Sequence, residues 1–97
     1  MSKKARAEVR FQGKVQGVFF RINTRKFAIG NGVAGEVKNC PDGSVKAVFE
    51  GERKNIEMTI HQCLHRQPHA KVSNHDVYWS KYSGKYEDFK VRYGGGC

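Results

Sequence analysis

Proline is scarce, with two in 97 residues, and no apolar run approaches the roughly 20 residues that a membrane-spanning helix needs. A transmembrane protein and a Pro-rich linker are therefore both excluded. Cysteine is represented only by Cys40, Cys63 and Cys97, an odd, scattered set that argues against a disulfide framework and for a reducing compartment. No Asn-x-Ser/Thr acceptor site occurs, and the charged segment Met1–Arg6 lacks the apolar stretch of a signal peptide, so a cytoplasmic location is expected. The four histidines and three cysteines show no paired zinc-ligand spacing, so no metal site is expected. His61, His65, His69 and His75 read as solvated, and Cys40 reads as an inert thiol in a turn. Nothing pairs a serine or cysteine nucleophile with a base. Acidic residues number 9 against 18 Lys and Arg, giving a formal charge of +9. Such a field attracts anions, either phosphorylated small molecules or nucleic acid.

The periodicities suit one domain. Ala7, Val9 and Phe11 alternate with polar residues, which predicts a strand over 6–13. From Phe20 to Gly30 the spacing turns helical, with Phe20, Phe27 and Ala28 on one face flanked by Ile22 and Ile29. Gly30-Asn31-Gly32 is a natural stop. A strand from Val33 to Asn39 and another through Val45, Ala47 and Phe49 flank the turn Pro41-Asp42-Gly43, which predicts a hairpin. Glu52 to Leu64 reads as a second helix with Ile56, Ile60 and Cys63 or Leu64 inward. Residues His65–Ser73 read as a loop, Val77 and Trp79 mark a fourth strand, and Phe89, Val91 and Tyr93 a short last one. The expected fold class is α+β, a ferredoxin-like βαββαβ sandwich. Two helices would cover one face of an antiparallel sheet, with a short extra C-terminal strand. The domain would span 1–93, followed by a flexible Gly-rich tail over 94–97.

The informative stretch is Gly13-Lys14-Val15-Gln16-Gly17-Val18-Phe19-Phe20-Arg21, where a strand ends, a glycine-bearing loop follows and a helix begins. Loop amides, the unpaired N–H groups of a first helical turn and the dipole make an anion site, and the Arg21 fork matches two phosphate oxygens. A right-handed crossover makes the first two strands parallel, so Asn39 ends at the same sheet edge as this loop. With the third strand between them, the two ends lie about 10 Å apart.

Val15-Gln16-Gly17-Val18-Phe19-Phe20-Arg21 closely resembles the signature loop of acylphosphatases. Gly32-Val33-Ala34-Gly35-Glu36-Val37-Lys38-Asn39, followed by Asp42-Gly43-Ser44-Val45, resembles the family's second motif. The likeness runs from about Glu8 to Tyr93. It implies hydrolysis of the carboxyl–phosphate bond of acyl phosphates with no cofactor. Carried over, Arg21 and the amides of Val15, Gln16, Gly17, Val18, Phe19 and Phe20 hold the phosphate, while Asn39 positions the attacking water. Inorganic phosphate or sulfate would occupy the same site, and a monomer is expected. The competing reading is a basic ferredoxin-like nucleic-acid-binding module without catalysis, in which Tyr78, Tyr82 and Tyr86 stack bases.

Overall fold

A computed structural model describes residues 3–94, 96 and 97. The elements run β1 (Lys4–Lys14), α1 (Phe20–Gly30), β2 (Ala34–Asn39), β3 (Val45–Glu52), α2 (Arg53–His65), β4 (Lys71–Ser80) and β5 (Phe89–Arg92). The strands form one sheet in the order β4-β1-β3-β2-β5. β1 and β2 are each antiparallel to β3 and therefore parallel to one another, as the crossover requires. β5 lies parallel to β2, so the sheet is mixed at that edge rather than antiparallel throughout.

Alternation builds the core. Ala7, Val9 and Phe11 of β1 pair with Phe49, Ala47 and Val45 of β3, all buried beneath the helices. α1 contributes Phe20 and Ala28, and α2 contributes Ile56, Ile60 and Cys63. Phe11 meets Phe20 with ring centres 5.0 Å apart, and Phe49 meets Phe89 at 5.7 Å. Both pairs sit at the separation aromatic rings prefer. Gly35 lets β2 pack closely, because a Cβ there would overlap the Val48 carbonyl oxygen. α1 ends where expected: Val33 donates its amide to the Ala28 carbonyl at 2.8 Å.

Several details depart from the sequence reading. β4 begins at Lys71, inside the stretch read as a loop. β3 continues to Glu52, and only Glu52, as the residue before α2, supplies an acidic group at that helix start. Ile22 and Ile29 of α1 are exposed rather than flanking the core.

β4 and β5 lie at opposite edges, so the connection over 81–88 must cross the sheet face away from the helices. Glu50, on that face and 1% exposed, fastens it. Its carboxylate accepts from the Ser83 hydroxyl at 2.6 Å, the Ser83 amide at 3.1 Å and the Gly84 amide at 3.0 Å. Arg6 adds a 3.0 Å ion pair.

Cys40 and Cys97 are joined in a disulfide, with Cα atoms 5.6 Å apart. This corrects two expectations, the unpaired cysteines and the free tail. Lys38 Nζ also donates to the Gly96 carbonyl at 2.6 Å. Cys63 alone remains a thiol, and burial pushes it up to about 12 against the opposing hydrogen bonds of Thr24 and Gln67.

Candidate active site

Register brings the two motifs together. Phe11 lies opposite Val45 on β3, and Val45 lies opposite Asn39 on β2. Asn39 therefore stands two strands from the end of β1, about 10 Å away, beside the loop that leaves β1.

The loop is held by its own side chains. Val15 and Val18 are buried, anchoring its two ends. Gln16 reaches across to the hairpin, its Nε2 donating to the Cys40 carbonyl and to the Ser44 carbonyl, each at 2.8 Å. Across the hairpin, the Asp42 carboxylate accepts from the Ser44 hydroxyl at 2.6 Å and amide at 3.0 Å. These bonds hold the Asp42 carboxyl below the usual carboxylate range, with Arg10 contributing at 3.1 Å. The turn beside Asn39 is thus tied on both sides.

Within the loop, before α1 begins, the backbone turns left-handed twice, at Gly17 (φ 71°) and Phe19 (φ 61°). Left-handed residues interleaved with ordinary ones point successive amides to the same side, which is the geometry of an anion nest. No protein group among the described residues accepts from the amides of Gln16 through Phe20, nor from those of Arg21 and Ile22 in the first turn of α1. The Val15 amide differs, because it donates to the Gly13 carbonyl at 3.1 Å. The run of free donors therefore starts at Gln16, one residue later than expected.

A cleft of about 220 Å³ opens here, lined by Gly17, Phe19, Arg21, Ile22, Asn39 and Tyr93 among others. The Arg21 Nη1 donates to the Arg92 carbonyl at 3.0 Å, and its guanidinium lies 4.7 Å from the centre of the Tyr93 ring. A planar cation gripped at one nitrogen and on one face keeps its remaining donors in a fixed fan. The Asn39 Oδ1 is buried and has no hydrogen-bond partner. Orphaned buried acceptors are rare and costly in folded proteins. Its residue, Asn39, lines the same cleft as Arg21.

Three contributors escaped the sequence reading: the Gln16 side chain as a tie, the Arg92–Tyr93 support of Arg21, and the disulfide at Cys40. Only the last had a local signal, a cysteine next to Asn39 and a second one at position 97. The tyrosines proposed to stack bases are largely committed elsewhere. Tyr82 lies beneath the Lys4 ammonium at 5.2 Å, and Tyr86 meets both Arg6 and Lys85, at 5.7 and 5.3 Å. Tyr78 remains exposed. The rings of His61 and His65 are 4.6 Å apart, and no group of metal-ligating side chains gathers among the described residues. No helix among them is long and apolar enough to cross a membrane.

The fold and this cleft define a ferredoxin-like α+β domain with a loop of unpaired amides between β1 and α1. Comparison with known proteins gives the particular family. The acylphosphatase family profile matches residues 7–91. An acylphosphatase of Pelotomaculum thermopropionicum is 44% identical over 90 residues, covering 93% of this chain and 98% of that one. One of Thermoplasma volcanium is 46% identical over 84 residues, covering 87% and 92%. Among solved structures, the Bacillus subtilis acylphosphatase superposes with a TM-score of 0.87 at 28% identity, covering 92% of this chain and 99% of that one. The Coxiella burnetii acylphosphatase gives 0.80 at 40% identity, covering 92% and 93%. The chain belongs to the acylphosphatase family and is an enzyme of that type.

Proposed function

We propose that this enzyme hydrolyses acyl phosphates to a carboxylate and inorganic phosphate, using Arg21 and the loop amides to hold the phosphate and Asn39 to hold the attacking water. The observation that carries the reading is Asn39, whose Oδ1 is buried and unpaired, lining the cleft that Arg21 also lines, beside a run of unpaired amides. An acceptor without a donor beside a set of donors without an acceptor suits a water on one side and an oxyanion on the other.

The chemistry asks little beyond placement. An acyl phosphate is a mixed anhydride whose leaving group is a carboxylate, stable without protonation. Phosphoryl transfer then depends on positioning and on stabilising charge over the equatorial oxygens. The amides from Gln16 to Phe20 and the Arg21 fork meet those oxygens and tighten as charge redistributes in the transition state. The Asn39 side-chain amide hydrogen-bonds the water and aims a lone pair of the water oxygen at phosphorus. The water oxygen bonds to phosphorus as the bond to the carboxyl oxygen breaks. The phosphate itself takes up the water's proton, and the carboxylate departs with the bonding pair.

The test is hydrolysis of benzoyl phosphate by the wild-type chain and by Arg21→Gln, with a chelator present throughout. Turnover in the wild type and its loss in the variant are expected. Equal turnover in both would remove Arg21 from the site. A chelator-sensitive reaction would show that a metal shares the work assigned to the guanidinium. The nucleic-acid reading would regain ground only if the wild type bound a labelled oligonucleotide in a salt-sensitive way and hydrolysed nothing.

A further inference from the structure

We propose that the Phe19 side chain, with Ile22 beside it, is the seat of the acyl group, and that the enzyme favours acyl phosphates with an aromatic or bulky apolar acyl part. This rests on the phosphate site described above and extends it to the other half of the substrate.

Phe19 is the only non-glycine residue with positive φ among the described residues. That conformation is disfavoured for any residue with a Cβ, and a persisting outlier of this kind points to function. Packing does not account for it. The neighbours Val18 and Phe20 are buried, whereas the Phe19 ring is 69% exposed. Glycine at this position would relieve the backbone and remove an apolar ring from water. Phenylalanine is there instead, carrying both penalties.

Its position gives the ring a use. Phe19 lines the cleft of Arg21 and Asn39, and it also lines a second opening on the far side of the loop beside Lys14 and His69. Phe19 therefore borders both openings. Ile22, 48% exposed, lines the first cleft from the opening turn of α1, and Tyr93, 76% exposed, borders it from the end of β5. A phosphate has no need of apolar walls. When its non-bridging oxygens sit among the amides, the bridging oxygen and the acyl group are left at the mouth, against these side chains. An acyl group that removes them from water gains binding that a methyl group cannot.

The experiment compares kcat/KM for benzoyl phosphate and acetyl phosphate, read as their ratio so that intrinsic leaving-group reactivity cancels between variants. Phe19→Asn keeps a residue that tolerates left-handed backbone but discards the ring. It should lower the ratio about tenfold, the scale of one aromatic contact. Ile22→Ser should lower it less, and Phe19→Tyr should preserve it. A ratio unchanged in both Phe19→Asn and Ile22→Ser overturns the acyl seat while leaving the phosphate site intact. A wild-type enzyme that hydrolyses neither substrate overturns the phosphate site and the seat together.

Discussion

Asn39 and Arg21 have different tasks in the proposed reaction, so their variants should fail differently. There Asn39 touches the water and not the phosphate. Asn39→Ala should therefore lower kcat by roughly 10²–10³, the usual loss for one positioned polar group. The inhibition constant for inorganic phosphate should stay within about twofold. If phosphate inhibition weakened in step with kcat, Asn39 would be a binding group and the water would need another holder. Arg21, in the same proposal, touches the phosphate in both ground and transition state. The Arg92 carbonyl takes one of its nitrogens and the Tyr93 ring takes one face, an arrangement that uses the planar fork. A lysine offers a point charge on a flexible stem and matches neither support. Arg21→Lys should therefore raise the phosphate inhibition constant and lower kcat/KM by about 10² or more, measured by steady-state hydrolysis with phosphate as inhibitor. A lysine variant near wild-type activity would mean that charge alone suffices.

Among the elements, what the sequence revealed followed from how local the signal is. α1 shows itself by spacing, and its start beside Gly17 locates the candidate loop between β1 and α1. Parallel β1 and β2 then follow from the handedness of the crossover, which by itself places Asn39 beside that loop. β4 was read too short because it is an edge strand, with Lys71, Ser73, Asn74, His75 and Asp76 all exposed. A strand wet on both faces loses the alternation by which strands are recognised. Phe19 was read only as a loop amide, because a left-handed phenylalanine has no sequence signature. Glu50, on the sheet face away from Phe49, clasps the 81–88 connection, a contact more than thirty residues distant that no local pattern signals. Burial alone would raise the pKa of its carboxyl. The Ser83 hydroxyl, Arg6 and the amides of Ser83 and Gly84 outweigh burial and hold it below the ordinary glutamate range. Acidification therefore protonates this carboxyl in the unfolded chain first, and over that window the unfolded state binds more protons. The stabilisation is complete above the ordinary glutamate pKa and is lost as pH falls through the lowered one. Glu50→Gln should cost about 2–3 kcal/mol at neutral pH, on the scale of a lost hydrogen-bonded charge. The gap in melting temperature between wild type and variant should close as pH drops below the ordinary glutamate pKa and through the lowered one. A gap independent of pH would show that the clasp does not need the carboxylate charge.

Over the whole molecule, a +9 charge and a closed C-terminus bear on different properties. The charge draws anionic substrate from solution and weakens as salt screens it, so it governs encounter rather than fold. The closed end governs stability. β5 lies against β2, so the chain beyond Tyr93 returns to the end of the strand that carries Asn39, where Cys97 meets Cys40 across 57 residues of sequence. Loop closure of that length restricts the unfolded chain by about 4 kcal/mol in the chain-entropy account, and natural bridges commonly yield about 2–4 kcal/mol. Reduction should then lower the melting temperature by at least about 10 °C, given roughly 4–8 °C per kcal/mol for a domain of this size. Cys97→Ser should match the reduced wild type and stop responding to reductant. Thiol counting checks the pairing independently. Cys63 is buried with its thiol pushed up to about 12, so the native oxidised chain should resist alkylation altogether. Unfolded without reductant, it should take up one alkyl group, at Cys63; unfolded with reductant, it should take up three, one for each cysteine. Three groups without reductant, or a melting temperature indifferent to it, would mean that the C-terminus is not fastened beside Asn39.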